Sequence, residues 1–151
     1  MRERMPLVLV LEDEPLIGFE VEQRLNYFGF RVGGPFRSGL EAMGWIRHND
    51  PDSVVFGVSL ADAVWSGLAG MLLARNIPFV VHTTTTRQQG DHDPVFDKCR
   101  WVSKLSQPLD LIDAVTASLP LPLSGSRSER GSKRSAVSSD YPQPRTGIDP
   151  L

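Results

Sequence analysis

The stretch LVLVLEDEP, residues 7–15, carries five apolar residues in a row, then three acidic residues and a proline. A short apolar run that ends in charge is typical of a strand buried on both faces of a parallel sheet. Proline is favoured in the first turn of a helix. The stretch therefore predicts a strand over Leu7–Leu11 and a helix over Pro15–Phe28. That helix would bury one apolar face and end at Gly29, a residue suited to the C-cap.

The same alternation of apolar runs and helical periodicity continues to residue 119. Further strands are predicted at Phe30–Val32, Val54–Val58, Pro78–His82 and Arg100–Ser103. Repeated strand–helix units of this kind indicate an α/β fold with a parallel sheet covered on both faces.

Three further helices are predicted between and after these strands. The second is opened by a capping box of Ser38 and Glu41, and the last begins at Pro108. Residues 88–98 contain Gly90 and Pro94 without a clean apolar stripe, so a helix there is expected to be short, distorted or absent. The predicted apolar faces are Leu40, Met43, Trp45 and Ile46; Val64, Leu68, Met71 and Leu72; and Leu111, Ile112, Val115 and Leu119.

Composition limits the function classes. The chain has 151 residues, a formal net charge of −2 and one cysteine, Cys99. It has room for one domain, lacks the thiols for a disulfide framework and has no net positive charge to attract nucleic acid. No apolar run approaches the length of a membrane span, and no signal peptide is evident, so a cytoplasmic location is expected. The domain is predicted over residues 1–119, with a disordered Ser/Pro/Arg-rich tail over 120–151.

Polar residues follow the predicted strands at the edge where open parallel sheets bind ligands. Glu12 and Asp13 follow the first strand, Thr83 follows the fourth, and Lys104 follows the fifth. Paired carboxylates suit Mg²⁺, while a lysine and a hydroxyl suit a phosphoryl group.

With these segments in this order, the chain resembles the response-regulator receiver family over roughly residues 6–119. The resemblance implies a flavodoxin-like five-stranded parallel sheet of order 2-1-3-4-5 and phosphoryl transfer from a histidine kinase to an aspartate. It implies that Glu12 and Asp13 form the magnesium-binding acidic pair. Thr83 would be the switch hydroxyl, Trp101 the aromatic switch residue and Lys104 the phosphate-contacting lysine.

One position departs from the family at its centre. Gly57 stands where the family has its phospho-accepting aspartate, and glycine has no side chain to phosphorylate. Leu105 replaces the usual proline after Lys104. These departures predict a pseudo-receiver, with Mg²⁺ bound weakly through Glu12 and Asp13 or not at all.

The function expected from the sequence is that of a stand-alone, non-enzymatic receiver-like module of a phosphorelay. It would bind a signalling protein: a histidine kinase, a phosphotransfer protein or another receiver. Homodimerisation is an open alternative, and neither a membrane nor a nucleic-acid partner is expected. Two other readings stay open: a receiver that uses another acceptor, such as Ser59, and a small flavodoxin-like nucleotide-binding protein.

Other polar or small residues are given structural roles. We expect Gly33 and Gly34 to form a turn and Cys99 to be an inert packed thiol. His82 is expected to be a packed histidine, and Asp91 to Asp93 a polar loop.

Overall fold

The computed structural model describes residues 5–60, 62–85 and 92–120. Five strands alternate with four α-helices and one 3₁₀ helix. The strands are β1 (Leu7–Glu12), β2 (Arg31–Phe36), β3 (Ser53–Gly57), β4 (Phe79–Thr83) and β5 (Arg100–Ser103). The helices are α1 (Pro15–Tyr27), α2 (Gly39–Ile46), α3 (Ala63–Ala74) and α4 (Pro108–Ser118), with the 3₁₀ helix at Pro94–Lys98 before β5.

The strands form one parallel sheet of order β2-β1-β3-β4-β5. The predicted architecture and strand order are therefore confirmed. Alternate residues of the strands feed two cores, because successive side chains point to opposite faces of a sheet. Leu9 and Phe56 face α2, α3 and the 3₁₀ helix, whereas Val10 and Val55 face α1 and α4.

The predicted turn at Gly33 and Gly34 is wrong. Both residues lie inside β2, which runs to Phe36 and not to Val32. A Cβ on Gly33 would overlap the indole ring of Trp45, and Gly34 has a φ of +92°, which L side chains rarely adopt. The glycines thus serve a close helix contact and an irregular register of β2 against β1, and not a reversal of the chain.

Two members of the predicted helix faces are more exposed than expected. Leu40 is 85% exposed and Val64 is 49% exposed. Ile46, Leu68 and Leu72 are buried as predicted. The buried faces also contain Gly39 and Ala42 of α2 and Trp65 and Ala69 of α3, which the apolar pattern did not predict. The Ser38 cap is present, because its Oγ accepts a hydrogen bond from the Glu41 N–H at 3.1 Å.

The weak helical signal over residues 88–98 ends in a single 3₁₀ helix, Pro94–Lys98. Its Phe96 is fully buried, and the Asp93 side chain caps it by accepting from the Val95 N–H at 2.9 Å. Residues 86–91 and the predicted tail beyond residue 120 lie outside the described residues. None of the described helices is both long and apolar enough to cross a membrane.

Phe56 is the centre of an aromatic cluster in the core against α3. Its ring centroid lies 5.3 Å from that of Phe79, 5.2 Å from that of Phe96 and 6.5 Å from that of Trp65. The cluster ties β3 to β4, to α3 and to the 3₁₀ helix.

We predict that Phe56→Ala lowers the free energy of unfolding by about 3–5 kcal/mol, because it leaves a cavity among these rings. The matched control is Phe19→Ala on α1, where the side chain is 57% exposed and its loss should cost under about 0.5 kcal/mol. Urea denaturation of the two variants measures both costs. Equal costs would mean that Phe56 does not organise the core.

Candidate functional site

The strand register brings the polar strand ends together at one edge of the sheet. Glu12 pairs with Gly57 across β1 and β3, and Thr83 pairs with Ser103 across β4 and β5. Lys104 follows β5 directly, and its backbone N–H donates to the Thr83 carbonyl at 2.8 Å. This bond fixes the chain direction from which the lysine side chain reaches back over the sheet.

The Glu12 carboxyl group fills the space beside Gly57. Glu12 is only 1% exposed, although it is charged. A Cβ on Gly57 would overlap Glu12 Oε1 and would lie 3.0 Å from the Leu11 carbonyl oxygen. Any side chain at position 57 therefore competes directly with the Glu12 carboxyl for the same volume.

Lys104 contacts both the Glu12 carboxyl and Gly57. Its Nζ donates hydrogen bonds to Glu12 Oε2 at 3.1 Å and to the Gly57 carbonyl oxygen at 2.9 Å. The same Nζ lies 3.0 Å from Glu12 Oε1, which has no directed hydrogen bond of its own within the described chain. Lys104 thus joins the ends of three strands through one buried ammonium group.

Burial and pairing act on Glu12 in opposite directions. Desolvation raises the pKa of the Glu12 carboxyl, whereas the hydrogen bond from Lys104 and that from the Glu14 N–H, at 3.1 Å, lower it. The combined effect is a raised pKa of the Glu12 carboxyl. A buried ion pair of this kind depends on both members, because removal of one leaves the other charge unpaired in a dry site.

Other predicted site residues lie outside this contact. The Asp13 side chain is exposed. The Thr83 hydroxyl accepts from the Thr85 N–H at 3.2 Å, within its own turn. The Trp101 indole N–H donates to the Phe96 carbonyl at 2.7 Å, which holds the ring against the core and 4.8 Å from the His92 ring.

Comparisons with known proteins bear on the fold. No protein-family description and no curated protein matches the chain in sequence. Among solved structures, a CheY-like response regulator receiver domain from Methanospirillum hungatei JF-1 matches with a TM-score of 0.62 at 17% identity, over 76% of this chain and 93% of that one. The fold is that of a response-regulator receiver domain.

Two further receiver structures agree. An orphan response regulator of H. pylori has a TM-score of 0.61 at 20% identity, over 76% of this chain and 97% of its own. The BeF3-activated conformation of SdrG from Pseudomonas melonis Fr1 has a TM-score of 0.59 at 23% identity, over 77% and 98%.

Within this receiver fold, Leu105 makes a contact that proline could not. Its backbone N–H donates to Ser103 Oγ at 3.0 Å, while its side chain is 85% exposed. Proline has no N–H and could not donate this hydrogen bond. Lys104 nevertheless reaches the site, since the bond from its own N–H to Thr83 sets its position.

The described residues do not fit the magnesium ion that the receiver fold implies. No three candidate metal-ligating side chains gather in the described part of the chain. The Glu12 carboxylate is engaged by Lys104, and the Gly57 carbonyl oxygen is already an acceptor for the same ammonium group. A divalent cation would have to break this ion pair to reach its oxygens. Weak or absent Mg²⁺ binding stays a prediction.

His82 lies on the face of the sheet that α1 and α4 cover, and it is packed, as expected from the sequence. It is 6% exposed, and its Nδ1 has no hydrogen-bond partner in the described part of the chain. Burial, followed by the positive charges of Lys104 and Arg24, lowers the pKa of its imidazole to about 4. The ring is therefore neutral at pH 7.

The ion pair should behave as a coupled unit in a double-mutant cycle. We predict that Lys104→Met lowers the free energy of unfolding by about 3 kcal/mol at pH 7, because it strands the buried Glu12 charge. The cost should shrink as the pH falls, because the raised pKa of the Glu12 carboxyl favours uptake of a proton. Glu12→Gln combined with Lys104→Met should recover most of the loss.

Asp13→Asn is the control for this cycle, because it removes a neighbouring exposed carboxylate and should change stability by less than about 0.5 kcal/mol. Additive costs of the two single substitutions would contradict a direct Glu12–Lys104 interaction.

His82 gives a second, pH-dependent test. Its pKa in the folded state, about 4, lies below the ordinary value of 6.5, so protonation favours the unfolded chain. Its contribution is complete above pH 6.5 and falls as the pH drops towards 4. Between pH 7 and pH 5 the loss should be about 2 kcal/mol.

His82→Val should lack this component, and the difference between the two proteins isolates it from the opposite contribution of Glu12. Chemical denaturation at a series of pH values makes the measurement. Parallel stability curves for the two proteins would show that His82 is not held neutral in the folded state.

Proposed function

We propose that this chain is a receiver-like module of two-component signal transduction that acts by protein–protein interaction and without an aspartyl phosphate. The observation that carries the proposal is the Glu12 carboxyl beside Gly57, paired with Lys104. The fold supports the receiver part of the proposal, and this pair supports the absence of phosphorylation.

The chemistry of the site argues against phosphoryl transfer. A phosphoryl group needs a nucleophile at its point of attachment and cations to neutralise its oxygens. Gly57 offers no nucleophile, and the ammonium of Lys104 already has a carboxylate and a carbonyl oxygen as acceptors. The positive charge that would stabilise an incoming phosphate is thus already paired with acceptors of the protein itself.

The proposed partner is another signalling protein: a histidine kinase, a phosphotransfer protein or a second receiver. Apolar side chains on the surface of α1 support a binding role, because Leu16 is 71% exposed and Tyr27 is 76% exposed. We propose a cytoplasmic module without enzymatic activity of its own. Binding to its partner would then be independent of phosphodonors.

Incubation with acetyl phosphate and Mg²⁺, followed by intact-mass spectrometry, tests this proposal. We expect no mass increase of one phosphoryl group, because position 57 has no carboxylate. A conventional receiver domain treated in the same tube is the positive control. Phosphate on the native chain, at Ser59 or elsewhere, would overturn the proposal in favour of a receiver with another acceptor.

A pairwise binding screen tests the other half. The chain is tested against purified histidine kinases, phosphotransfer proteins and receivers of the organism that encodes it, with and without acetyl phosphate. We expect specific binding to at least one of them, with the same affinity in both conditions. Binding to none of them would contradict a phosphorelay role.

A further inference from the structure

A small cavity lies beneath α1, beside β4 and at the start of α4, on the face of the sheet that His82 shares. Its volume is about 90 Å³. A water molecule takes about 30 Å³ of liquid, so the cavity has room for roughly three waters or one group of that size. Typical pockets for drug-sized ligands begin near 300 Å³, so a nucleotide would not fit.

The charges around the cavity favour an anion. Arg24 on α1 and His82 on β4 both line it, and the first residues of α4 form another wall. Arg24 is half-buried and makes no ion pair with any residue of 5–60, 62–85 and 92–120. The N-terminal end of a helix adds partial positive charge to the same wall.

His82 supplies a polar group without a partner. Its ring is buried, and Nδ1 is sealed from solvent without a hydrogen bond inside the described chain. His82 is among the residues that line the cavity, and Nε2 is its second ring nitrogen. A neutral imidazole that carries its proton on Nε2 can donate one hydrogen bond to a bound acceptor.

Other charged groups near the cavity set the limits of this chemistry. Glu20 on α1 also lines it and opposes an anion, but its side chain is exposed and free to turn into water. Lys104 lines it as well, while its ammonium group is committed to Glu12. Arg24 is thus the cation that is left to hold a ligand.

We propose that this cavity binds a small oxyanion, a phosphate or carboxylate group, through the Arg24 guanidinium and the His82 imidazole. A planar guanidinium donates two parallel hydrogen bonds to such a group, and charge-assisted bonds of this type are about twice as strong as neutral ones. The site is distinct from the Gly57 position, although Lys104 borders both. The proposal goes beyond the proposed function and does not depend on it.

Titration of the ¹⁵N-labelled chain with inorganic phosphate, at constant ionic strength and with chloride as the reference anion, tests the site by NMR. We expect saturable shifts of the backbone amides of His82, Ser106, Gln107 and Leu109, with a dissociation constant in the millimolar range. A parallel titration with acetate separates recognition of a carboxylate from recognition of phosphate. Saturable shifts with either anion at these amides support the proposal.

Matched variants make the test specific. Arg24→Gln should weaken binding at least about tenfold, Arg24→Lys should retain part of it, and Glu20→Gln should tighten it. Arg47→Gln, which removes an exposed arginine at the end of α2, should leave it unchanged. The dispersion of each variant's spectrum reports whether it is folded.

Three results would overturn the proposal. They are the absence of saturable shifts with both anions, equal affinity of folded Arg24→Gln and the native chain, and equal weakening by Arg24→Gln and Arg47→Gln. The last would indicate general attraction of anions to the surface.

Discussion

The ion pair between Glu12 and Lys104 joins residues that lie 92 positions apart in the chain and at the ends of β1 and β5. Two strands, β3 and β4, lie between those ends in the sheet. The lysine side chain crosses this distance and also binds the Gly57 carbonyl at the end of β3. Because the pair is almost fully buried, its two members have to be present together.

Gly57 and Glu12 form one structural solution. A glycine in a strand interior weakens the strand, because its backbone loses more conformational entropy on folding and it has no side chain to pack. Here the missing side chain leaves space for the Glu12 carboxyl, which becomes the counter-ion of Lys104. The consequence is a receiver-like fold in which the Lys104 ammonium is paired with a carboxylate of the same chain.

Much of this organisation could be predicted from the sequence. Apolar runs and their spacing located all five strands, and Pro108 marked the first residue of α4. The polar residues at the strand ends also predicted the edge of the sheet at which Glu12, Gly57 and Lys104 meet. These signals are either local in the chain or periodic along it, and both kinds can be recognised in a single sequence.

The errors have a common physical cause, which is contact between residues distant in the chain. The sequence alone predicts a turn at Gly33, whereas the Trp45 ring packs against this residue. It also predicts a buried Leu40, whereas Ala42 lies on the buried face of α2. The choice of Glu12, and not of Asp13, as the partner of Lys104 likewise depended on the depth of each carboxylate. Residue types and spacing do not encode such depths.

The free energy of unfolding of Gly57→Ala shows whether the Glu12 carboxyl fills the space beside Gly57. Alanine in place of a strand glycine would ordinarily stabilise the chain by about 0.5–1 kcal/mol. We expect the opposite sign, a loss of about 1–3 kcal/mol, because the new Cβ collides with the Glu12 carboxyl and crowds the Leu11 carbonyl. Gly44→Ala, at a helix position with open space around it, supplies the reference and should stabilise. A Gly57→Ala protein that is as stable as the native chain, or more stable, would contradict the placement of the Glu12 carboxyl beside Gly57.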